Sequence, residues 1–319
     1  MTISIGADPE FFLYNPHIEE PHDEPMSESE DWDGEGEPPP PAYVAPHGYL
    51  PCVGIIPGTK EEPHQLANAE PGFFVHDDNV CVEVGWPPTN DPRVFTRHAM
   101  LVKDLVQSEF LDRLHYELAV HPAIKFMPDQ LNTPQARSAG CEPDYDAYTS
   151  GKVRSLGPEL MKGNWRFAAG HVHLGGDFNC PPFVVALFAD IFLHLQFMGQ
   201  KSPASFYNPD WQRRAEWYGR PGIFRPKPYG IEYRSPSNWW MKSARACRTM
   251  GNAAASLCHY LEKTSATNLR IAVQQIDWLA LQTFLAEPPR NQVERLDKQQ
   301  FLMSECLKYS NFPDTAGDL

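Results

Sequence analysis

Polar side chains occupy alternate positions in four short, otherwise apolar segments of the sequence. Alternate side chains of a β-strand point to the same face, so this spacing would gather the polar groups on one side of a sheet. The segments and their polar residues are Gly6–Leu13 with Glu10, Val80–Val84 with Glu83, Gly170–Gly175 with His171 and His173, and Gly230–Arg234 with Glu232 and Arg234. Glu10 is expected to close its strand, directly before the apolar triplet 11–13. If the strands are neighbours, their shared face carries three carboxylates, two imidazoles and one guanidinium.

This combination of side chains predicts a site for hard divalent cations. Carboxylate oxygens with an imidazole nitrogen suit Mg²⁺ or Mn²⁺, and no cysteine lies close enough in sequence to indicate a thiolate zinc site. A buried face of this kind is costly unless a metal or a substrate neutralises it. One such segment alone, including an isolated His-x-His, is more often structural, and the presence of four favours a functional site.

A basic stretch in this acidic chain predicts an anion site. Its bases, which outnumber the acids Glu216 and Glu232, are Arg213, Arg214, Arg220, Arg225, Lys227 and Arg234. Guanidinium groups bind phosphate and carboxylate through paired hydrogen bonds, so an oxyanion or a nucleoside triphosphate is the expected ligand. The alternative is a solvated loop that pairs with the acidic residues near the start of the chain. The sequence has no Walker loop and no GxGxxG motif, so metal and side chains would have to hold any nucleotide.

Strands and helices are both predicted, and they do not alternate regularly. Strands are predicted around 2–8, 166–175 and 228–234, and a hairpin is predicted at 73–84. Helices are predicted from Asp91-Pro92, with apolar residues at four-residue spacing through Leu118, and at 182–199, 242–263, 267–286 and 294–308. This order predicts an α+β fold with a mainly antiparallel sheet, not a doubly wound nucleotide-binding fold.

The chain has 319 residues and a net charge of −14, but the acidity is concentrated near its beginning. Residues 1–59 hold 12 of the 41 acids and none of the 27 bases, which leaves 29 acids against 27 bases, or −2, for the remainder. The acidic, Pro-rich stretch 15–51 is predicted to be a mobile insertion, a solvated spacer in preference to a binding tail. The overall acidity argues against a protein that coats nucleic acid or an anionic membrane.

Cysteine usage and hydropathy predict a cytoplasmic protein. The seven cysteines, an odd number without CxxC spacing, suit buried thiols in a reducing compartment. The first residues show no signal-peptide pattern. The apolar run 183–198 contains Asp190 and His194, so it is too short and too polar to span a membrane and is predicted to be a buried helix.

Six motifs, in order, resemble those of the phage-type carboxylate–amine ligases, an amidoligase family similar to glutamine synthetase and γ-glutamylcysteine ligase. They are Gly6–Leu13, Gly58–Lys60, Asp78–Glu83, Gly140–Tyr145, Gly170–Gly175 and Arg220–Arg234, the last continued by Ser237-Asn-Trp239. The resemblance implies a curved antiparallel sheet that binds ATP and two or more Mg²⁺ or Mn²⁺ ions. We expect one catalytic domain over 1–319, with 241–319 as a helical region packed on it.

The resemblance also implies a reaction and a role for each motif residue. A substrate carboxylate takes the γ-phosphoryl group of ATP, and an amine then converts the acyl phosphate to an amide. Carried over by motif, the metal ligands are Glu10, Glu83, His171 and Glu232, the last also catalytic. His173 is expected to contact ATP phosphates, and Arg234 to stabilise the transferring phosphoryl group. Further candidates for binding phosphate or carboxylate are Arg225, Lys227, Arg220 and Lys60.

Two departures from the family pattern accompany the resemblance, and two rival functions stand beside it. Ala168-Ala-Gly replaces a run of glycines, a conservative change, and the long acidic insertion bears on substrate access. A metal-dependent hydrolase would use the same histidines and carboxylates to activate water, but it would need further His or Asp ligands and leaves the basic stretch without a purpose. The other rival is a catalytically inactive binding protein of the same fold.

The sequence leaves the substrates and the oligomeric state open. The alternatives that it leaves open are an amino acid, a peptide side chain or terminus, a polyamine, and a modified nucleotide that carries a carboxylate or an amine. If the protein is phage-encoded, the expected compartment is the cytoplasm of the host cell.

Overall fold

The computed structural model describes residues 3–18, 48–137, 144–149, 151–153, 163–195, 214, 219–286 and 292–308. The strands in these ranges are β1 (Ser4–Tyr14), β2 (Tyr49–Leu50), β3 (His64–Gln65), β4 (Phe74–Asp78), β5 (Cys81–Gly85), β6 (Glu117–Ala119), β7 (Ala123–Lys125), β8 (Asp144–Asp146), β9 (Gly151–Val153), β10 (Trp165–Phe167), β11 (Gly170–Gly175), β12 (Ile223–Lys227) and β13 (Gly230–Tyr233). The α-helices are α1 (Pro92–Val106), α2 (Pro182–Ala189), α3 (Ala244–Lys263), α4 (Ala266–Gln275), α5 (Trp278–Ala286) and α6 (Gln292–Lys308). One-turn π-helical segments extend α1 (Gln107–Leu111) and α2 (Asp190–His194), and a 3₁₀ segment, Asn238–Lys242, precedes α3.

One large antiparallel sheet organises these elements. Its strands lie in the order β3–β4–β5–β1–β11–β13–β12–β8–β9, and β2 and β6 pair with the far end of β1. Strands β7 and β10 form a separate two-stranded sheet. Helices flank the large sheet, so the predicted α+β class with a mainly antiparallel sheet is confirmed.

The central strand β1 is longer than the sequence predicted, and this corrects the position of Glu10. The prediction ended the strand near residue 8 with Glu10 at its end, whereas β1 runs to Tyr14. The apolar triplet after Glu10 finds partners on both faces of the sheet. Phe11 and Leu13 join the main core, and Phe12 joins a second, smaller core. Glu10 therefore lies within the strand, between its pairing with β11 and its pairing with β2 and β6.

The alternation of side chains gives the large sheet an apolar face and a polar face. The apolar strand residues buried in the main core include Ile5, Ala7, Val82, Val84, Val172, Leu174, Ile231 and Tyr233. They pack against buried residues of α1, α2 and α3 in the same core. The polar residues between them lie on the opposite face, as their spacing predicted.

Helix α1 begins as the sequence predicted but ends earlier. The Asp91 side chain accepts a first-turn backbone N–H at 2.7 Å, and Pro92 occupies the first helical position. The apolar spacing predicted a helix through Leu118, which is wrong, because α1 ends at Val106 and Leu118 lies in β6. His115, with a left-handed backbone (φ 57°), turns the chain between the two elements.

The C-terminal helices are present with shifted bounds. The predicted helix 267–286 divides into α4 and α5, because Asp277 caps a new helix by accepting the Ala280 N–H at 2.9 Å. Leu257 of α3, Leu281 of α5 and Leu302 of α6 are buried in the main core. The helical region therefore shares its core with the sheet.

The apolar run 183–198 is helical over its described part. Residues 182–195 form α2 and its π-helical extension, with buried side chains from Val184 to Leu195, and residues 196–198 lie outside the described ranges. Among the described helices, none combines the length and hydropathy needed to cross a membrane. The cysteines in the described ranges are free thiols, and all of them except Cys180 are buried.

The two ends of the predicted insertion 15–51 meet beside β1. The Asn15 N–H donates to the Gly48 carbonyl at 2.7 Å, and β2 then pairs with the end of β1. The chain therefore leaves the sheet and returns to it at one point. Residues 19–47, to which the prediction of mobility applies, lie outside the described residues.

Candidate active site

Strand pairing aligns the predicted polar residues into a row across the polar face of the sheet. The four segments lie on β5, β1, β11 and β13, which are consecutive in the sheet. The directly opposed pairs, from β4 to β12, are His76–Glu83, Glu83–Glu10, Asp8–His171, His173–Glu232 and Glu232–Arg225. The strands that carry the predicted polar residues are therefore neighbours, as a shared polar face requires.

Glu10, Asp78 and Glu83 form the acidic end of this row. Each offers one oxygen, and these atoms lie within 4.8 Å of one another, so the group suits a divalent cation. Burial, together with Asp78 and Glu83, raises the pKa of Glu10 well above its usual value. Burial also raises the pKa of Glu83 to about 7, against the opposing effect of His76, whose Nε2 lies 3.3 Å from Glu83 Oε1. A bound cation would favour the ionised form of both carboxyl groups.

Glu10 is held in place by two segments, the residue before β11 and the segment that follows β13. A Glu10 side-chain oxygen accepts the Ala169 N–H at 2.7 Å, and the Glu10 carbonyl accepts the Asn238 side-chain amide at 2.8 Å. A Cβ at Gly170 would lie 2.3 Å from the Ser237 carbonyl oxygen, so this close approach requires glycine. The Ser237-Asn-Trp239 motif thus fixes Glu10 and the start of β11 relative to each other.

Asp8, His173 and Glu232 form the central group, and one ligand atom from each lies within 4.8 Å of the others. Asp8 Oδ2 is 3.1 Å from His173 Nε2, and Asp8 Oδ1 is 3.4 Å from His171 Nδ1. Burial disfavours the ionised Asp8, but His173 and His171 outweigh it and hold the pKa of Asp8 well below its usual value. Burial likewise acts to lower the pKa of His173, but Asp8 and Glu232 raise it. Asp8 and His173 therefore form a half-buried pair whose charged forms favour each other.

His171 lies deeper than His173. Its Nδ1 is 3.5 Å from Glu232 and 3.3 Å from Arg234 Nη1. Burial and the Arg234 guanidinium lower the pKa of His171 below its usual value. The resemblance assigned a metal to His171 and ATP phosphates to His173. The geometry brings both histidines to Asp8 and places His173 in the group that can hold a metal.

Arg225, Lys227 and Arg234 surround Glu232 and form the basic end of the row. Lys227 Nζ lies 2.8 Å from Glu232 Oε2, Arg225 Nη1 lies 3.5 Å from Oε1, and Arg234 Nη1 donates to the same oxygen. Burial and Asp8 act to raise the pKa of Glu232, but Arg234 foremost, with His171 and Arg225, prevails and lowers it to about 2. Glu232 is therefore an ionised carboxylate that joins the central group to the basic end.

Asp144, at the start of β8, holds both arginines of the basic end. Its Oδ1 lies 3.1 Å from Arg225 Nη2 and 3.0 Å from Arg234 Nε. The two guanidinium groups are thus fixed between Asp144 and Glu232, which limits their reorganisation when a ligand binds.

The basic stretch 213–234 does not act as one unit, which corrects the prediction of a single anion site. Arg214 is buried and donates to the carbonyls of Ala168, Ser235 and Pro236 at 3.0, 2.9 and 2.9 Å, so it stabilises the backbone. Arg220 is exposed on the loop before β12, and Arg213 lies outside the described residues. Lys60 is exposed on the loop before β3. The roles predicted for Arg220 and Lys60 stay predictions.

Several residues of the site were not among the predicted site residues. They are Asp8, His76, Asp78, Asp144 and Tyr229, whose hydroxyl lies 3.0 Å from His173 Nδ1. Asp8 stands two positions before Glu10, and His76 and Asp78 alternate in β4, so the same two-residue spacing would have included them. Asp144 lies in the motif Gly140–Tyr145, but nothing local indicated its partner, because only the pairing of β8 with β12 brings it to Arg225.

Comparison with known proteins adds no assignment. No family model matches this chain, and no curated protein or solved structure matches it. The resemblance to carboxylate–amine ligases therefore rests on the sequence motifs, and the site is interpreted from its own geometry.

Proposed function

We propose that this protein is an ATP-dependent carboxylate–amine ligase that forms an amide bond through an acyl phosphate. The observation that carries the proposal is the separation of charge along one sheet face. The acidic end and the central group offer ligands for metal, and the basic end lies directly beside them. A phosphoryl-transfer site needs both environments, because it must hold metal-bound phosphates and stabilise the charge that develops on the transferred group.

The donor atoms fit Mg²⁺ or Mn²⁺. The acidic end supplies carboxylate oxygens alone, and the central group supplies two carboxylates and one imidazole. The pKa values of Glu10 and Glu83 are raised because ionising buried carboxyl groups beside other acids is unfavourable. A bound cation would offset this free-energy cost. Bound metal would neutralise the charge on ATP and on the carboxylate nucleophile, so that the two can approach.

The basic end can act on the transferring phosphoryl group. Arg234 is buried and fixed by Glu232 and Asp144, so its donors are already oriented before any ligand binds. Lys227 is less buried, with 29% of its side chain exposed, and can pair with a phosphate or a substrate carboxylate. In this proposal Glu232 moves between these cations and a metal, which would combine the metal-ligating and catalytic roles predicted for it.

A metal-dependent hydrolase is the second candidate, and one observation favours it. Asp8, Asp78 and His76 supply the further ligands and partners that such an enzyme requires. A pair of metal ions at the acidic end and the central group would suit activation of water. That function still leaves the cations around Glu232 without a role, so the ligase is preferred.

An activity screen tests the proposal. The full chain is incubated with Mg²⁺ and ATP and with pairs drawn from amino acids, peptides, polyamines and nucleotides that carry a carboxylate or an amine. We expect release of ADP and phosphate, and a product whose mass is the sum of the two substrates less one water. Arg234→Met should abolish both signals, whereas Arg245→Met, at an exposed position on α3, should leave them unchanged.

The same screen separates the rival functions. Metal-dependent conversion of a substrate without consumption of ATP would overturn the ligase proposal in favour of a hydrolase. Binding of Mg²⁺–ATP without any turnover across the panel would favour the inactive binding protein.

A further inference from the structure

Tyr229 lies in the turn between β12 and β13 and covers His173. Its hydroxyl oxygen is 3.0 Å from His173 Nδ1, and the two rings stack with centroids 5.8 Å apart at an interplanar angle of 24°. Tyr229 is 41% exposed, so burial of its own ring does not explain this position. The opposite nitrogen of the same histidine, Nε2, lies 3.1 Å from Asp8 Oδ2 in the central group.

The backbone of the turn explains how an exposed tyrosine is held in place. The Tyr229 carbonyl accepts the Gly176 N–H at 3.0 Å, which ties the turn to the end of β11. Gly230 has φ 149°, and a Cβ there would lie 2.1 Å from the Leu174 carbonyl oxygen, so the close contact between turn and strand requires glycine. The strand that carries His173 thus also positions the residue that contacts it.

We infer that Tyr229 is a positioning residue that orients His173 for metal binding at the central group. A histidine that binds a cation through Nε2 must carry its proton on Nδ1, and the Tyr229 hydroxyl oxygen is placed to accept that hydrogen bond. Partners of this kind fix the tautomer and the ring orientation of a ligating histidine. The inference rests on the metal-binding part of the proposed function.

The hydroxyl, and not only the ring, is essential to this role. Tyr229→Phe keeps the stacked ring and removes the acceptor for Nδ1–H. Tyr14→Phe is the matched control, because Tyr14 lies six residues along β1 from Asp8, about 20 Å away at the rise of a strand. Glu83→Gln weakens the acidic end, and Asp8→Asn weakens the central group, so each background isolates one of the two groups.

Titration with Mn²⁺, followed by electron paramagnetic resonance, tests the inference without substrate or ATP. In the Glu83→Gln background, Tyr229→Phe should weaken Mn²⁺ binding about 10- to 100-fold. It should also diminish the ¹⁴N coupling of a coordinated imidazole. In the Asp8→Asn background the same change should have no effect, and Tyr14→Phe should have no effect in either.

Unchanged Mn²⁺ affinity and ¹⁴N coupling in Tyr229→Phe, with a parent protein that binds the ion, would overturn this inference alone. A parent protein that binds no Mn²⁺ would overturn it together with the metal basis of the proposed function. An inactive protein that binds Mn²⁺ and responds to Tyr229→Phe as expected would support the inference and contradict the ligase proposal.

Discussion

Glu10 of β1 and Glu83 of β5 face each other directly across an antiparallel strand pair, and both carboxyl groups are buried. Like charges at this separation disfavour each other, and burial adds to the cost of ionising either one. Burial, with Asp8 and Asp78, raises the pKa of Glu83 from 4.5 to about 7, and burial, with Asp78 and Glu83, raises the pKa of Glu10 well above its usual value. The pair therefore couples the stability of the fold to pH and to the presence of a cation.

Stability without metal should fall as the pH rises from about 4.5 to about 7. Over this range the folded protein retains a proton on Glu83 that the unfolded chain has released, so each increment of pH favours unfolding. Mg²⁺ or Mn²⁺ should reduce the loss, because the cation stabilises the ionised pair. Urea denaturation at about pH 5 and about pH 8, with and without Mn²⁺, measures both effects.

Glu83→Gln provides the control for this pH dependence. An amide does not titrate, so the variant should lose the part of the fall that Glu83 contributes and respond less to Mn²⁺. A remaining fall is expected, because burial also raises the pKa of Asp190 to about 7. A variant that keeps the full pH dependence of the parent would show that Glu83 is not its source.

Glu232→Gln should abolish ADP formation while leaving a folded protein. The amide keeps the shape of the side chain but removes the charge that Lys227, Arg225 and Arg234 share. The pKa of Glu232 is lowered to about 2, so the parent carboxylate is ionised wherever the enzyme is assayed. The amide of the variant does not titrate, so no change of pH should restore activity. Phosphate release and circular dichroism measure the two properties, with Glu294→Gln on the exposed side of α6 as the control. Turnover equal to that of the parent would refute the catalytic role of Glu232.

Those parts of the site that lie within one strand were predictable from the sequence, because alternation is a local property. His171 with His173, within β11, and Glu232 of β13 with Arg234, directly after that strand, needed only the two-residue period of extended chain. Contacts between strands depend on register, so the partnership of Asp144 with Arg225 had no local signal.

For the fold, too, local patterns were predictable from the sequence and contacts between distant segments were not. The α+β class followed from the order of the elements, but β1 passed beyond Glu10 because two separate cores cover its apolar triplet, which no single segment reveals. Composition also gave no indication of the role of Arg214. This residue was predicted as part of an anion site, but it donates to carbonyl groups of the backbone.

Arg214→Met should destabilise the fold by about 3 kcal/mol or more. The substitution keeps an extended side chain but removes the guanidinium hydrogen bonds to the carbonyls of Ala168, Ser235 and Pro236, of which Pro236 alone is seen to keep another donor, the Gly170 N–H. Arg220→Met, at an exposed position on the same stretch, should change stability by less than about 0.5 kcal/mol. Urea denaturation of both variants checks the contrast, and equal stabilities would show that Arg214 is not structural.

Gly170→Ala should disturb the site by displacing β11, without replacing any charged residue. The added methyl group would lie 2.3 Å from the Ser237 carbonyl oxygen and 2.5 Å from Trp240 Nε1, so β11 must move away from this segment. We expect a loss of about 1–3 kcal/mol in stability. We also expect weaker Mn²⁺ binding, because Gly170 directly precedes His171 and its neighbour Ala169 donates to Glu10. Gly163→Ala is the matched control, since a Cβ there meets nothing within 4 Å. If the two alanine variants bind Mn²⁺ equally well, the packing of β11 on the Ser237 segment does not position the site.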